Sequence, residues 1–435
     1  MNMKAFRLTS GLAALSIMAA VSHAENKLAV ADGNWNSADT WGGTLPAETD
    51  FIRVNYGVTV DLTTAVTVAG IKGYGTSSDT LAGVLNIKGP DASLTMTGEG
   101  GASQFWYNAR IDINVTDGAN LAFKTLAWGS GGFSNIYVTD STFSLDSFSE
   151  CQGALKSLGG SVLSFKGSTK AKAGGDWNLS PTSGGYMIST YVDGAELDMQ
   201  SHVLRVRSIG SDSQSDFYVK NGGSIKNIGN FEINSMPTGN TTYSDTTARV
   251  FISGAASTIN SASITVGGSD SAPETRTNVT NSLTMGTVED GKFVAADYNA
   301  VVSSGNFLVN MFGELNVNLG SSNVVKALDA TTDALIVAGT FANVLGTFNV
   351  DLGNITDLES GYYYVSLISA ATYTNYDALL EKINVVDGDE AVFDKFYREG
   401  NQLFLGINYT AIPEPAAFAA LFGALAIALA ACRRR

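Results

Sequence analysis

Histidine and cysteine are nearly missing from this chain: its 435 residues hold two of each. His23 falls in the apolar N-terminal region, so His202 stands alone in the body. A histidine-built metal centre, or a site needing two catalytic histidines, therefore has no residues to be made from. Cys151 and Cys432 are too few for a disulfide framework. Stability has to come from burial and backbone hydrogen bonding, which a chain of this length can supply. The 7 prolines form no Pro-rich linker, so no domain joint is marked. Basic residues are short as well, 26 against 41 acidic, for a net charge of -15. That sign repels phosphate backbones and anionic lipid surfaces and excludes nucleic acid as a partner. Catalytic signatures are lacking too. There is no Gly-x-Ser-x-Gly, no HExxH, no P-loop and no calcium nonapeptide repeat.

The two ends carry the most specific patterns. Lys4 and Arg7 precede an apolar run from Gly11 to Val21, and Ser22-His23-Ala24 sets small residues at the -3 and -1 positions of a cleavage after Ala24. This is the layout of a secretory signal peptide, residues 1–24, removed by signal peptidase. At the other end, Pro413-Glu414-Pro415 leads into an uncharged stretch from Ala416 to Ala431, then Cys432 and Arg433-Arg434-Arg435. As a helix that stretch rises roughly 24 Å, enough to span with local adjustment, with the arginines held on the cytoplasmic side. The prolines keep the preceding dipeptides extended and accessible to a protease.

The order of these three parts, from Pro413 to Arg435, resembles the PEP-CTERM sorting signal of Gram-negative bacteria that make extracellular polysaccharide. The resemblance implies that residues 411–435 are recognised by an exosortase, with this chain as substrate. The protein would pass through an inner-membrane intermediate and reach the outer surface or the extracellular matrix. Losing Lys4, Arg7 and the three tail arginines would leave it more acidic still.

Between the ends, short alternating runs are punctuated by Gly, Asn, Asp and Ser, which indicates an all-β body. One phrase recurs: Val115-Thr116-Asp117-Gly118, Val138-Thr139-Asp140-Ser141, Val192-Asp193-Gly194-Ala195, Val219-Lys220-Asn221-Gly222 and Ile252-Ser253-Gly254-Ala255. The interval from Val138 to Val192 is twice that from Val192 to Val219, so the copies share one period with a coil skipped between the second and third. A right-handed parallel β-helix follows, residues 58–330, with about ten coils. Tandem β-sandwiches are the competing architecture. Residues 25–57 form an N-terminal cap in which Trp35 and Trp41 cover the open apolar end, the alternative being that these rings stack on sugars. The segment is similar to the opening of bacterial surface β-helix and autotransporter-like proteins. Residues 331–410, more apolar and with a short helix over 377–383 capped by Asn375, form a C-terminal β-rich cap.

Since parallel β-helices include polysaccharide lyases and glycosidases, carboxylate groups require scrutiny. Asp193 and Asp198, and the group Asp387, Asp389 and Glu390, fit solvated turns as well as a site. Arg205 and Arg207 beside His202 fit an outward strand face. These readings give no catalytic residue, no cofactor and no metal. The expected function is a structural or adhesive component of the cell surface, an exopolysaccharide matrix or a biofilm. A carbohydrate-active enzyme or a sugar-binding module is the alternative.

Overall fold

A computed structural model describes residues 25–73, 81–105, 110–128, 133–151, 153–182, 184–234, 243–268, 276–296, 302–329, 332–374, 376–411 and 424. The leader through Ala24, the tripeptide Pro413-Glu414-Pro415, Arg433 to Arg435 and Asn375 lie outside the described residues, as does the expected transmembrane helix over 416–431 apart from Ala424. Among the described residues no helix is long and apolar enough to cross a membrane.

The chain is all-β and solenoid-like. On its first face the described strands follow one another in chain order, from Gly33–Asn34 to Ile383–Val386, each paired in parallel with the next. Register partners measure the coil. Asp112 faces Asn135, a separation of 23, and Asn86 faces Asn114, a separation of 28. Beyond the strand Gln214–Lys220 the coil lengthens. Asp216 faces Arg249, a separation of 33, and Asn349 faces Asn384, a separation of 35. The doubled interval between Val138 and Val192 is indeed two coils, with Phe165-Lys166-Gly167-Ser168 in the place of the missing copy. Parallel ladders with crossovers of this length rule out tandem sandwiches, whose sheets are antiparallel.

A coil is legible in one stretch. Tyr186–Asp193 lies on the first face, Glu196–Asp198 on the second and Val203–Arg207 on the third. Each pairs in parallel with its equivalent one coil before and one coil after. The recurrent phrase makes the corner between the first two faces. Gly194 there has φ 68° and Asn221 has φ 52°, the left-handed region open to Gly and Asn. At Gly223 the constraint is space, because a β-carbon would collide with the Val192 carbonyl oxygen of the coil below.

Alternation then sends every second side chain inward. Leu163 and Phe165, Phe217 and Val219, and Val250 and Ile252 on the first face are all fully buried. Phe165 packs in an aromatic cluster with Phe143 and Trp177, centroids 5.1 and 6.4 Å away.

The core is covered at both ends of the stack. Trp35 and Trp41 are 2% and 4% exposed and meet edge to face at 4.8 Å, with Trp41 Nε1 donating to the Trp35 carbonyl at 2.8 Å. They plug the first coil. At the far end parallel pairing runs past residue 330 through Ile336–Val344 and Thr347–Asn354. It then gives way to antiparallel pairing of Gln402–Tyr409 with both Gly361–Tyr373 and Ala391–Glu399. The last of these carries Asp394, Lys395, Arg398 and Glu399, charges that guard an edge against further pairing. The short helix is Tyr376–Leu380.

Truncating Phe165 to Ala is expected to lower unfolding free energy by about 3–5 kcal/mol. Lys166→Ala on the exposed side of the same strand should stay within about 0.5 kcal/mol. Equilibrium urea titration of both variants checks this, and equal effects would contradict the inward assignment.

Candidate binding face

The outward side chains of the first face form one register row along the stack. It begins with amides and a carboxylate, Asn34, Asp61, Asn86 and Asn114. It continues through Tyr137, Ser164, Tyr191, Tyr218 and Phe251. After Thr284 it returns to amides at Asn316, Asn349 and Asn384. Parallel strands place like residues about 4.8 Å apart, which is hydrogen-bonding reach for amides and stacking distance for rings. Asn86 Nδ2 donates to Asp61 Oδ1 at 2.8 Å, Asn114 Nδ2 to Asn86 Oδ1 at 3.0 Å, and Asn349 Nδ2 to Asn316 Oδ1 at 2.8 Å. In the middle, Tyr191 stacks on Tyr218 at 4.8 Å and 6°, and Tyr218 on Phe251 at 4.9 Å and 12°.

Beside this stack the row two residues upstream supplies a buried charge. Asp216 is 1% exposed. Arg249, its register partner one coil on, grips it with Nε at 2.9 Å and Nη2 at 2.8 Å. Gln214 Nε2 and the Tyr218 hydroxyl also donate to it, at 2.6 and 3.2 Å. The planar fork lies 5.2 Å from the Phe251 centroid and braces the stack. Burial, then the Asp216 carboxylate and Tyr191, hold the Tyr218 phenol far above its ordinary value of 10.0.

The stack borders a groove of ≈ 520 Å³ lined by Tyr191, Tyr218, Phe251, Thr284, Asn318 and the hairpin strand Thr287–Glu289. That strand returns through Asp290-Gly291 to Lys292–Val294, and Val288 on it is 70% exposed. Lys220 enters the rim between Asp193 Oδ2 at 3.8 Å and Glu289 Oε2 at 3.6 Å.

Residues singled out from sequence are distributed elsewhere. Trp35 and Trp41 are buried and cannot stack on a sugar. Arg205 and Arg207 do alternate on an outward strand face, where Glu232 Oε2 takes both, at 3.1 and 2.5 Å. Asp176 holds Arg205 at 3.4 Å and stands 3.8 Å from His202 Nδ1. Asp193 and Asp198 are not brought together. The first accepts Asn221 Nδ2 at 2.7 Å and the second accepts Asn227 Nδ2 at 3.0 Å. Asp387 accepts the Phe393 amide at 2.7 Å, and Glu390 receives the Tyr409 hydroxyl. Among the described residues no three His, Cys, Asp or Glu side chains gather to hold a metal ion.

The aromatic row was readable but one residue out of view. Tyr137, Tyr191, Tyr218 and Phe251 each immediately precede the first residue of a repeated phrase. The Asp-Gly pair at 290–291, flanked by Glu289 and Lys292, is likewise an ordinary hairpin signal. No protein-family model, curated protein or solved structure matches the chain.

A phenol whose folded-state value is raised adds stability below its unfolded value, near 10, and loses it as pH climbs toward the folded value. Urea stability is therefore expected to hold up to about pH 10 and decline above it, more steeply in the wild type than in Tyr218→Phe. Identical slopes for the two proteins would show that Tyr218 does not carry the loss.

Proposed function

We propose that this protein is an exported scaffold that acts by presenting surface area and repetition, without catalysis, at the outer surface or in the exopolysaccharide matrix of a Gram-negative bacterium. In this reading the body is a right-handed parallel β-helix, the hand following from the strong preference of parallel crossovers. Signal peptidase cuts after Ala24. An exosortase then acts at Pro413-Glu414-Pro415 while the apolar segment and Arg433 to Arg435 hold the tail in the inner membrane.

The observation that carries the reading is the register row from Asn34 to Asn384, in which blocks of like groups repeat from coil to coil: amides at both ends and the rings Tyr191, Tyr218 and Phe251 between them. A surface of this kind matches a polymer of repeating units better than a single small substrate. Two further features agree with it. The core is covered at both ends, by Trp35 and Trp41 and by the antiparallel strand Gln402–Tyr409, and the flanking strand Ala391–Glu399 carries charges that discourage further pairing. Of the carboxylates singled out from the sequence, Asp193, Asp198, Asp387 and Glu390 are each engaged with a neighbour.

Intact mass and cellular location of the protein in its host, with and without alanines at Pro413-Glu414-Pro415, test the proposal. Loss of the leader and of the arginine tail, dependent on the tripeptide, with the body found outside the cell, is the expected result. A full-length tail retained in the inner membrane and indifferent to the substitution would overturn it.

A further inference from the structure

We propose that the groove beside Phe251 seats a ring of a neutral polysaccharide, which enters as the next plate of the aromatic stack. Tyr191, Tyr218 and Phe251 stack in succession, and the row then meets Thr284, which has no ring to offer. The groove opens at this step, and its volume of ≈ 520 Å³ is in the range that holds small ligands. A pyranose ring presents C–H groups on a face and hydroxyls around its rim. It therefore needs an aromatic plate with polar atoms at the side, and Phe251 with Thr284 and Asn318 supplies both. Charge selects among glycans. Arg249 is taken by Asp216, and Lys220 lies between Asp193 and Glu289, so the cations at the groove are already balanced. The chain as a whole carries -15 and repels a polyanion.

This inference deepens the matrix reading and rests on it for its biological setting, yet binding and location are measured separately and can fail separately. The full chain is applied to an array of neutral glucans, mannans and galactans, with polyuronates and planar aromatic compounds alongside. Retention of at least one neutral class is expected. Phe251→Ala removes the plate and Thr284→Tyr fills the seat with one more ring of the same row. Each should weaken binding about tenfold or more, and Thr284→Tyr should leave thermal unfolding intact. Binding confined to polyuronates or aromatic probes, no glycan binding at all, or neutral-glycan binding unmoved by both substitutions would overturn the assignment.

A separate contact carries a second inference: cleavage after Ala24 creates an ion pair that locks the N-terminal end. The Glu25 backbone nitrogen donates to Asp50 Oδ1 at 3.2 Å, and Asp50 is 4% exposed. The other carboxylate oxygen accepts the Ala47 amide at 2.8 Å. Hydrolysis of the Ala24–Glu25 bond adds one water, leaving a carboxylate on the departing leader and an ammonium on Glu25. A neutral amide donor thereby becomes a charged one, at the position where the strand Asn26–Ala29 joins Phe51–Val54. The inference rests on the proposed cleavage site, but chains made to begin at Glu25 or at His23 test it without the leader peptidase. The shorter chain is expected to melt a few °C higher and to show an α-amine above the usual range of about 7.7–8.0, both differences vanishing in Asp50→Asn. Equal melting and an ordinary α-amine would overturn it.

Discussion

Everything in this molecule depends on the parallel hydrogen-bond ladder that joins each coil to the next. A short strand, such as Thr59–Leu62 or Tyr186–Asp193, buries too little on its own to offset the entropy of ordering it. Stacked in register, it satisfies its backbone on both sides and covers an inward residue with a like residue above and below. Each coil is thus stable only because its neighbours are present. This explains why the chain does without cystines, and why its ends have to be closed by elements that do not wind, the Trp35–Trp41 plug and the antiparallel strands around Gln402–Tyr409.

The same ladder governs the outside. Spacing by one strand is a property of the backbone, so any residue type repeated at one outward position is forced to contact itself. Amides answer by bonding in a chain, as from Asp61 through Asn114 and from Asn316 through Asn384. Rings answer by lying flat on one another, as from Tyr191 to Phe251. Charges cannot repeat without cost, and here they alternate between coils: Asp176, Arg205 and Glu232 on the third face, and Asp216 and Arg249 on the first. A strongly acidic chain tolerates its charge by pairing part of it along the stack and exposing the rest at corners.

A change in coil length divides the solenoid. On the first face the shorter coils give way to longer ones after the strand Gln214–Lys220. The added residues leave the core alone, since Val250, Leu283 and Leu315 remain fully buried in line with Phe217. Among the described residues of these longer coils, the hairpin Thr287–Val294 walls the groove beside the last ring of the stack. The candidate site therefore lies where an otherwise regular repeat is interrupted, consistent with loops varying on a constant scaffold.

What the sequence determined by itself was the local and periodic part. Alternation disclosed strands, and the repeated phrase disclosed the coil, because a turn needing left-handed backbone draws Gly, Asn or Asp to the same place each time. The doubled interval even pointed to the coil whose phrase had decayed around Phe165. Tertiary structure alone decided which residues meet. The repeated phrase puts Tyr191, Tyr218 and Phe251 at one register position, but that their rings lie flat on one another, with Arg249 and Asp216 braced beside them, is seen only in the folded stack. That Asp193 and Asp198 part company depends on a corner between them at Gly194. That Trp35 is buried depends on Trp41 folding over it. Contacts of this kind are set by inter-coil register, and a slip of one residue would exchange every inward side chain for an outward one, which no local pattern records.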